Sequence, residues 1–195
     1  MPLFDDTKTA FESKSDADLK KAHLLFKLIA NPSLTKLGTI MFKLPFATDL
    51  PLVKPFVRST IYKQFVGGET PAECLKVAKE LYQYGVSSIM DYSVEGQESE
   101  AEFDRVKDEI LRLVKIAKDN PKEIPFVVFK PTAFGRIDLY EKVGKNLPMT
   151  DDEKQKWEAI RNRFDEVCKA GFDNDVTMMI DAEESWMQDA ADDLA

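Results

Sequence analysis

Three short apolar runs, each ending on an ionisable residue, constrain this chain more than anything else in it. They occupy residues 86–91 (VSSIMD), 124–130 (IPFVVFK) and 176–181 (VTMMID), and helix-length amphipathic sequence lies between them. Runs this short, rich in Val, Ile, Phe and Met, read as buried strands. Strands buried on both faces belong to a parallel sheet covered by helices. In barrels and open α/β layers alike, ligands bind outside the carboxyl ends of such strands. Asp91, Lys130 and Asp181 therefore stand where an α/β sheet places its chemistry. Two carboxylates and one ammonium on one rim make a polar site above an apolar core.

The sequence between the runs predicts the covering helices. Ser15 caps a helix over 16–30, with Leu19, Ala22, Phe26 and Ile29 on one face and Asn31-Pro32 as its stop. A second piece spans 34–44, and Pro45, Pro51 and Pro55 then imply an irregular connector or short helices. Gly67-Gly68 reads as a structural turn, since it lacks both the Lys-Ser/Thr of a P-loop and the third glycine of a dinucleotide motif. Thr70 and Glu73 form a capping box with Pro71 at the first helical position. The helix they open reaches about residue 84, with Cys74, Val77, Ala78 and Leu81 facing inward and Gly85 just past its end. A long helix over 101–118 carries Phe103, Val106, Ile110, Leu113, Val114 and Ala117 on its apolar stripe. Shorter and longer helices follow over 138–145 and 151–170, the latter ended by Gly171, and a helical stub closes the chain.

Each connection between strands thus contains a helix, the arrangement of right-handed parallel crossovers. An eight-stranded barrel typically takes about 250 residues. Only fourteen residues follow Asp181, so the 195-residue chain holds three strand–helix units and no more. The expected fold is α/β, either an open layer complete in itself or part of a larger enzyme.

Composition narrows the function classes. A net charge of −8 and a pI near 4.9 argue against a nucleic-acid binder. Cys74 and Cys168 show no metal spacing and read as reduced thiols, and His23 stands alone in an amphipathic helix. No metal-ligand set and no nucleophile elbow is present. The N-terminus is acidic early and lacks a signal-peptide apolar core. The apolar stretch 38–56 is broken by Lys43, Asp49 and Lys54 and cannot span a bilayer. A cytoplasmic α/β enzyme fragment binding a small polar molecule is as far as the residues alone reach. A lysine at the rim suits a carboxylate substrate.

The motifs go further. Asp91-Tyr92-Ser93-Val94-Glu95-Gly96, Phe129-Lys130-Pro131-Thr132-Ala133-Phe134-Gly135 and Met179-Ile180-Asp181-Ala182-Glu183-Glu184-Ser185-Trp186-Met187-Gln188 resemble successive strand-end motifs of the proline dehydrogenase family. The likeness covers residues 65–188, and 19–58 resembles that family's N-terminal helices. The resemblance implies a distorted (βα)8 barrel that uses FAD to oxidise L-proline to Δ1-pyrroline-5-carboxylate, passing electrons to membrane quinone. This α/β chain would then be an N-terminal helical arm over 1–64 followed by a partial (βα)8 barrel, its first three units, over 65–195. It implies that Lys130 binds the substrate carboxylate, that Asp181 is the active-site aspartate, and that Ala182 contacts the flavin. Asp91 is assigned a structural or supporting role. Most flavin contacts and the carboxylate-clamping arginines of the family fall in later strands, which cannot be mapped here. The chain is therefore expected to be an N-terminal portion, inactive and flavin-poor alone, that pairs with its missing half or with itself. Its location would be cytoplasmic, with at most peripheral contact at the inner face of the plasma membrane. The competing reading is a non-enzymatic α/β module, a barrel remnant that binds a protein partner through its open sheet edge.

Overall fold

Three parallel strands lie side by side in chain order in a computed structural model that describes residues 5–42, 53–92, 94 and 96–195. Pro45 and Pro51 of the expected connector, and Ser93 and Glu95 of the first rim motif, lie outside the described residues. The chain forms two compact units, residues 1–84 and 85–195.

The first unit is helical. Its elements are α1 (Thr7–Ala10), α2 (Asp16–Ile29), α3 (Pro32–Phe42), α4 (Val53–Val57), a π-turn (Arg58–Tyr62), α5 (Lys63–Phe65) and α6 (Pro71–Tyr82). Ser15 caps α2 as expected, accepting from the Asp18 amide at 3.2 Å. Asn31-Pro32 ends α2 and at once opens α3, because Pro lacks only an amide that the first helical turn leaves unpaired. The Asn31 Oδ1 accepts from the Ser33 and Leu34 amides. Pro55 sits inside the first turn of α4 for the same reason, and of the two expected forms, irregular connector or short helices, the described part takes the second. At α6 half of the expected capping box forms. Thr70 accepts from the Glu73 amide, while the Glu73 carboxylate reaches past Thr70 to the Glu69 amide at 2.9 Å. Only Ala78 of the expected inward face of α6 is fully buried, and no residue of α2 is. Phe26 meets Phe65 edge-on at 5.9 Å.

The second unit holds the sheet: β1 (Ile89–Asp91), α7 (Glu100–Asp119), β2 (Phe126–Phe129), a 3-10 turn (Pro131–Ala133), α8 (Ile137–Gly144), α9 (Asp151–Asp173), β3 (Thr177–Ile180) and α10 (Gln188–Asp192). Complete capping boxes start both long helices, Ser99 with Glu102 and Thr150 with Glu153. The whole expected stripe of α7 is buried. The strands are shorter than the apolar runs. Pro125 and Pro131 have no N–H to give the ladder, so β2 is cut to four residues, Phe126–Phe129, of the five between them.

The strands also differ from expectation in burial. Met90, Val127 and Phe129 are buried, whereas Ile89, Phe126 and Met179 are 48%, 37% and 42% exposed. The register aligns Ile89 with Phe126 and Thr177, and Asp91 with Val128 and Met179. Because side chains alternate along a strand, these in-register residues share one face. That face is open, and the other packs on α7 and α9. The sheet is therefore covered on one side, not two. Gly171 corrects a second expectation. It lies within α9, where a Cβ would come within 2.4 Å of Met178 Cγ, so it permits helix and strand to approach closely. The helix stops two residues later, ahead of Asp175 at φ 55°.

Candidate functional site

Packing on the covered face of the sheet anchors the strand ends that carry the site. Phe129 at the end of β2, Phe134 after the 3-10 turn and Phe164 of α9 form a triangle with ring centroids 5.0–5.6 Å apart. Tyr140 of α8 stacks edge-on against Trp157 of α9 at 5.2 Å. Together these rings wedge the segment after β2 against the helices.

At the strand ends anchored in this way, Lys130 follows the last residue of β2 and Asp181 the last residue of β3. Phe129 pairs with Ile180, and the Asp181 amide donates to the Phe129 carbonyl at 3.0 Å, so the next residues stand opposite each other. Lys130 Nζ lies 3.8 Å from Asp181 Oδ2, with the lysine about one quarter and the aspartate about half exposed. Parity along the strands puts both on the open face, together with Asp91. Asp91, however, pairs with Val128 and stands one row lower. The structure thus brings together two of the three expected rim charges in register. Ala182 follows Asp181, exposed and without a bulky side chain.

The turn after Lys130 is held from three directions. The Tyr140 hydroxyl donates to the Pro131 carbonyl at 2.5 Å. Burial, followed by the nearby Glu183 charge, pushes that phenol well above its ordinary range, so it stays a donor. Arg163 of α9 donates to the Phe134 carbonyl at 2.9 Å and is itself held by Asp104 and Glu100. Glu183, two residues past Asp181, accepts from the Thr132 amide at 2.9 Å and from its hydroxyl at 2.7 Å. Sequence reasoning assigned no role to Thr132, Tyr140, Arg163 or Glu183. Thr132 and Glu183 do lie inside the recognised motifs, but nothing local couples residues 51 positions apart.

The rim has room for one end of a flat ring and a small carboxylate. Lys130 offers a cation of the kind a carboxylate needs, and the small side chain of Ala182 leaves the strand-end backbone accessible to a ring.

The segment that carries this rim is matched by known proteins. Residues 74–195 match the family model "Proline dehydrogenase". The chain is 31% identical over 173 residues to the carbapenem antibiotics biosynthesis protein CarD of Pectobacterium carotovorum subsp. carotovorum, covering 88% of this chain and 46% of that protein. It is 35% identical over 121 residues to mitochondrial proline dehydrogenase 1 of Caenorhabditis elegans, covering 60% of this chain and 20% of that one. With the corresponding Arabidopsis thaliana enzyme it shares 23% identity across 97% of its own length and 46% of the relative's. The chain thus spans about half, or less, of the length of these relatives. On the match over its sheet-bearing unit, the chain belongs to the proline dehydrogenase family.

Proposed function

We propose that this chain carries the substrate-binding rim of a flavin-dependent proline dehydrogenase. The observation that carries the reading is the in-register Lys130–Asp181 pair at the carboxyl ends of parallel strands, within the segment that matches the family. In this reading residues 1–64 are a helical arm and 65–195 the first three units of a (βα)8 barrel. Later strands, supplied from outside these 195 residues, complete it, and the chain alone is inactive.

The reaction turns L-proline into Δ1-pyrroline-5-carboxylate. The bond that breaks is C5–H, whose hydrogen leaves with both electrons. The ring nitrogen gives up a proton as the C=N double bond forms. A flavin held at this rim would supply the hydride acceptor and the electron path to a quinone. Lys130 holds the substrate carboxylate as a point charge on a flexible stem. Asp181 keeps the Lys130 ammonium aimed across the rim and presents a carboxylate toward the substrate's positive nitrogen. Ala182 lets the flavin come close to the strand-end backbone. The open apolar face excludes water beneath the ring, which strengthens the rim electrostatics. Asp91, one row lower, supports the strand end. The protein acts in the cytoplasm, with at most peripheral membrane contact for quinone reduction; among the described residues no helix is long and apolar enough to cross a membrane.

The likeness to CarD bears on the pathway served. The same ring oxidation can feed antibiotic biosynthesis as readily as proline catabolism.

A second reading is favoured by the exposed apolar face itself. Ile89, Phe126 and Met179 fit a surface that a protein partner covers, with the barrel motifs retained as scaffold. One experiment separates the two. The chain is co-expressed with the remainder of the barrel, and the purified complex is examined for flavin absorbance and for proline-dependent dye reduction. Yellow protein that bleaches with proline supports the enzyme. A stable but colourless and inactive complex rejects it in favour of the partner-binding module.

A further inference from the structure

We propose that Glu183, acting through Thr132, is the positioning group that sets Lys130 opposite Asp181. The role rests on the proline-oxidising reading for its kinetic consequence and on the hydrogen bonds for its geometry.

The ladder between β2 and β3 pairs residues only as far as Phe129 and Ile180, with one further bond from the Asp181 amide to the Phe129 carbonyl. Past that rung Pro131 has no N–H, and the two backbones would be free to splay. Glu183 and Thr132 take over at this point. Each stands two residues beyond the rim charge of its own strand. The carboxylate accepts both the amide and the hydroxyl of Thr132, at 2.9 and 2.7 Å. Both are hydrogen bonds to an ionised acceptor and belong to the stronger class. The remaining anchors of the turn point elsewhere. Tyr140 and Arg163 fix the Pro131 and Phe134 carbonyls to α8 and α9, on the core side. Among these bonds, only those from Thr132 to Glu183 run from the β2 segment to the β3 segment beyond the ladder. A lysine ammonium on a four-carbon stem is placed only as well as its backbone is placed. A shift of about 1 Å at a substrate-positioning group can cost as much as a hundredfold in rate.

The test uses the flavin-loaded enzyme that contains this chain, with amide hydrogen exchange on the 195-residue chain beside it. Val matches Thr in shape and lacks the hydroxyl, whereas Ser keeps the hydroxyl and loses a methyl. Thr132→Val should lower kcat/KM for proline about tenfold, the size of one charge-assisted hydrogen bond, and Thr132→Ser should retain the wild-type value. Glu183→Ala should lower kcat/KM at least as far, and should cause no further loss in a Lys130→Ala background. In the 195-residue chain, Glu183→Ala should speed exchange at the Thr132 amide and leave Val127, in the ladder, unchanged. The proposal is overturned if Val is tolerated and Ser is not, if the Glu183 and Lys130 losses multiply, or if Thr132 exchange is unaffected by Glu183→Ala. An enzyme that holds flavin and never oxidises proline overturns the functional reading instead, and the exchange result still decides the clamp.

Discussion

Lys130 and Asp181 occupy equivalent places on neighbouring parallel strands, one step beyond the last ladder pair, and their charged atoms lie 3.8 Å apart. At that separation and exposure the pair contributes little to stability, since exposed ion pairs are typically worth about 0–1 kcal/mol. Its worth lies in what it can hold. In the flavin-loaded enzyme, Lys130→Ala should lower kcat/KM for proline about ten- to a hundredfold, the loss of one charge-assisted contact of about 1.5–3 kcal/mol. Flavin content should be largely retained. Asp181→Ala should reduce turnover. Asp91→Ala should act mainly through stability, because Asp91 sits one row below the pair. Steady-state kinetics with flavin absorbance checks all three. Wild-type kinetics in Lys130→Ala together with an inactive Asp91→Ala would reverse these roles.

Among the described residues Arg163 is the one buried charge, 5% exposed among otherwise apolar neighbours. It donates to Asp104, Glu100 and the Phe134 carbonyl, and its guanidinium lies 5.6 Å from the Phe103 ring centroid. Its two carboxylate partners are about half exposed, so water replaces much of what they lose. The Phe134 carbonyl has no such recourse. Arg163→Ala should therefore cost about 1–3 kcal/mol in urea unfolding, the penalty of an unsatisfied buried acceptor. Arg163→Lys should recover little, because a single ammonium cannot reproduce a planar fork with three differently placed partners.

The parts of this fold legible in the sequence are those set by local rules. The stripe of α7 from Phe103 to Ala117, the cap at Ser15, and the placing of Lys130 and Asp181 at strand ends all follow from periodicity and capping chemistry. The motifs around the same residues gave the family. Misreadings arose where tertiary contact decides. Gly171 looks like a helix stop and is a contact point for Met178, because sequence does not reveal what passes over a glycine. The runs around Ile89 and Phe126 look buried on both sides and are covered on one, because apolar composition does not say which neighbours are present. The reach of Glu73 to Glu69 rather than Thr70, and of Glu183 to Thr132, depends on side-chain geometry that spacing alone leaves undetermined.

Gly135 offers a steric test of the packing beneath the rim. A Cβ there would lie 2.2 Å from Ile160 Cδ1 and 2.3 Å from Ile160 Cγ1. Gly135→Ala should destabilise by about 1–3 kcal/mol through overpacking. Ile160→Ala alone should cost about 2–5 kcal/mol by opening a cavity. Combined, the two should cost clearly less than their sum, because the new methyl occupies space that the isoleucine vacates. Additive losses in a denaturation series would mean that the segment after the 3-10 turn does not press on α9 at this point.

The capping box of α9 should govern part of the acid response. The Lys142 ammonium, followed by the Thr150 amide, holds the Glu153 carboxyl down to about 2 from an ordinary 4.5. A carboxyl whose folded value is depressed binds fewer protons folded than unfolded, so its contribution is fully present above the unfolded value. It fades as pH falls from about 4.5 and is gone below about 2. Glu153→Gln should therefore lower the melting temperature at neutral pH and narrow the difference from wild type steadily across that window. Lys142→Met should behave in the same direction with a smaller effect, since the Thr150 bonds to Glu153 remain. A melting-temperature difference that stayed constant from pH 7 to pH 2 would show that the Glu153 charge does not support the start of α9.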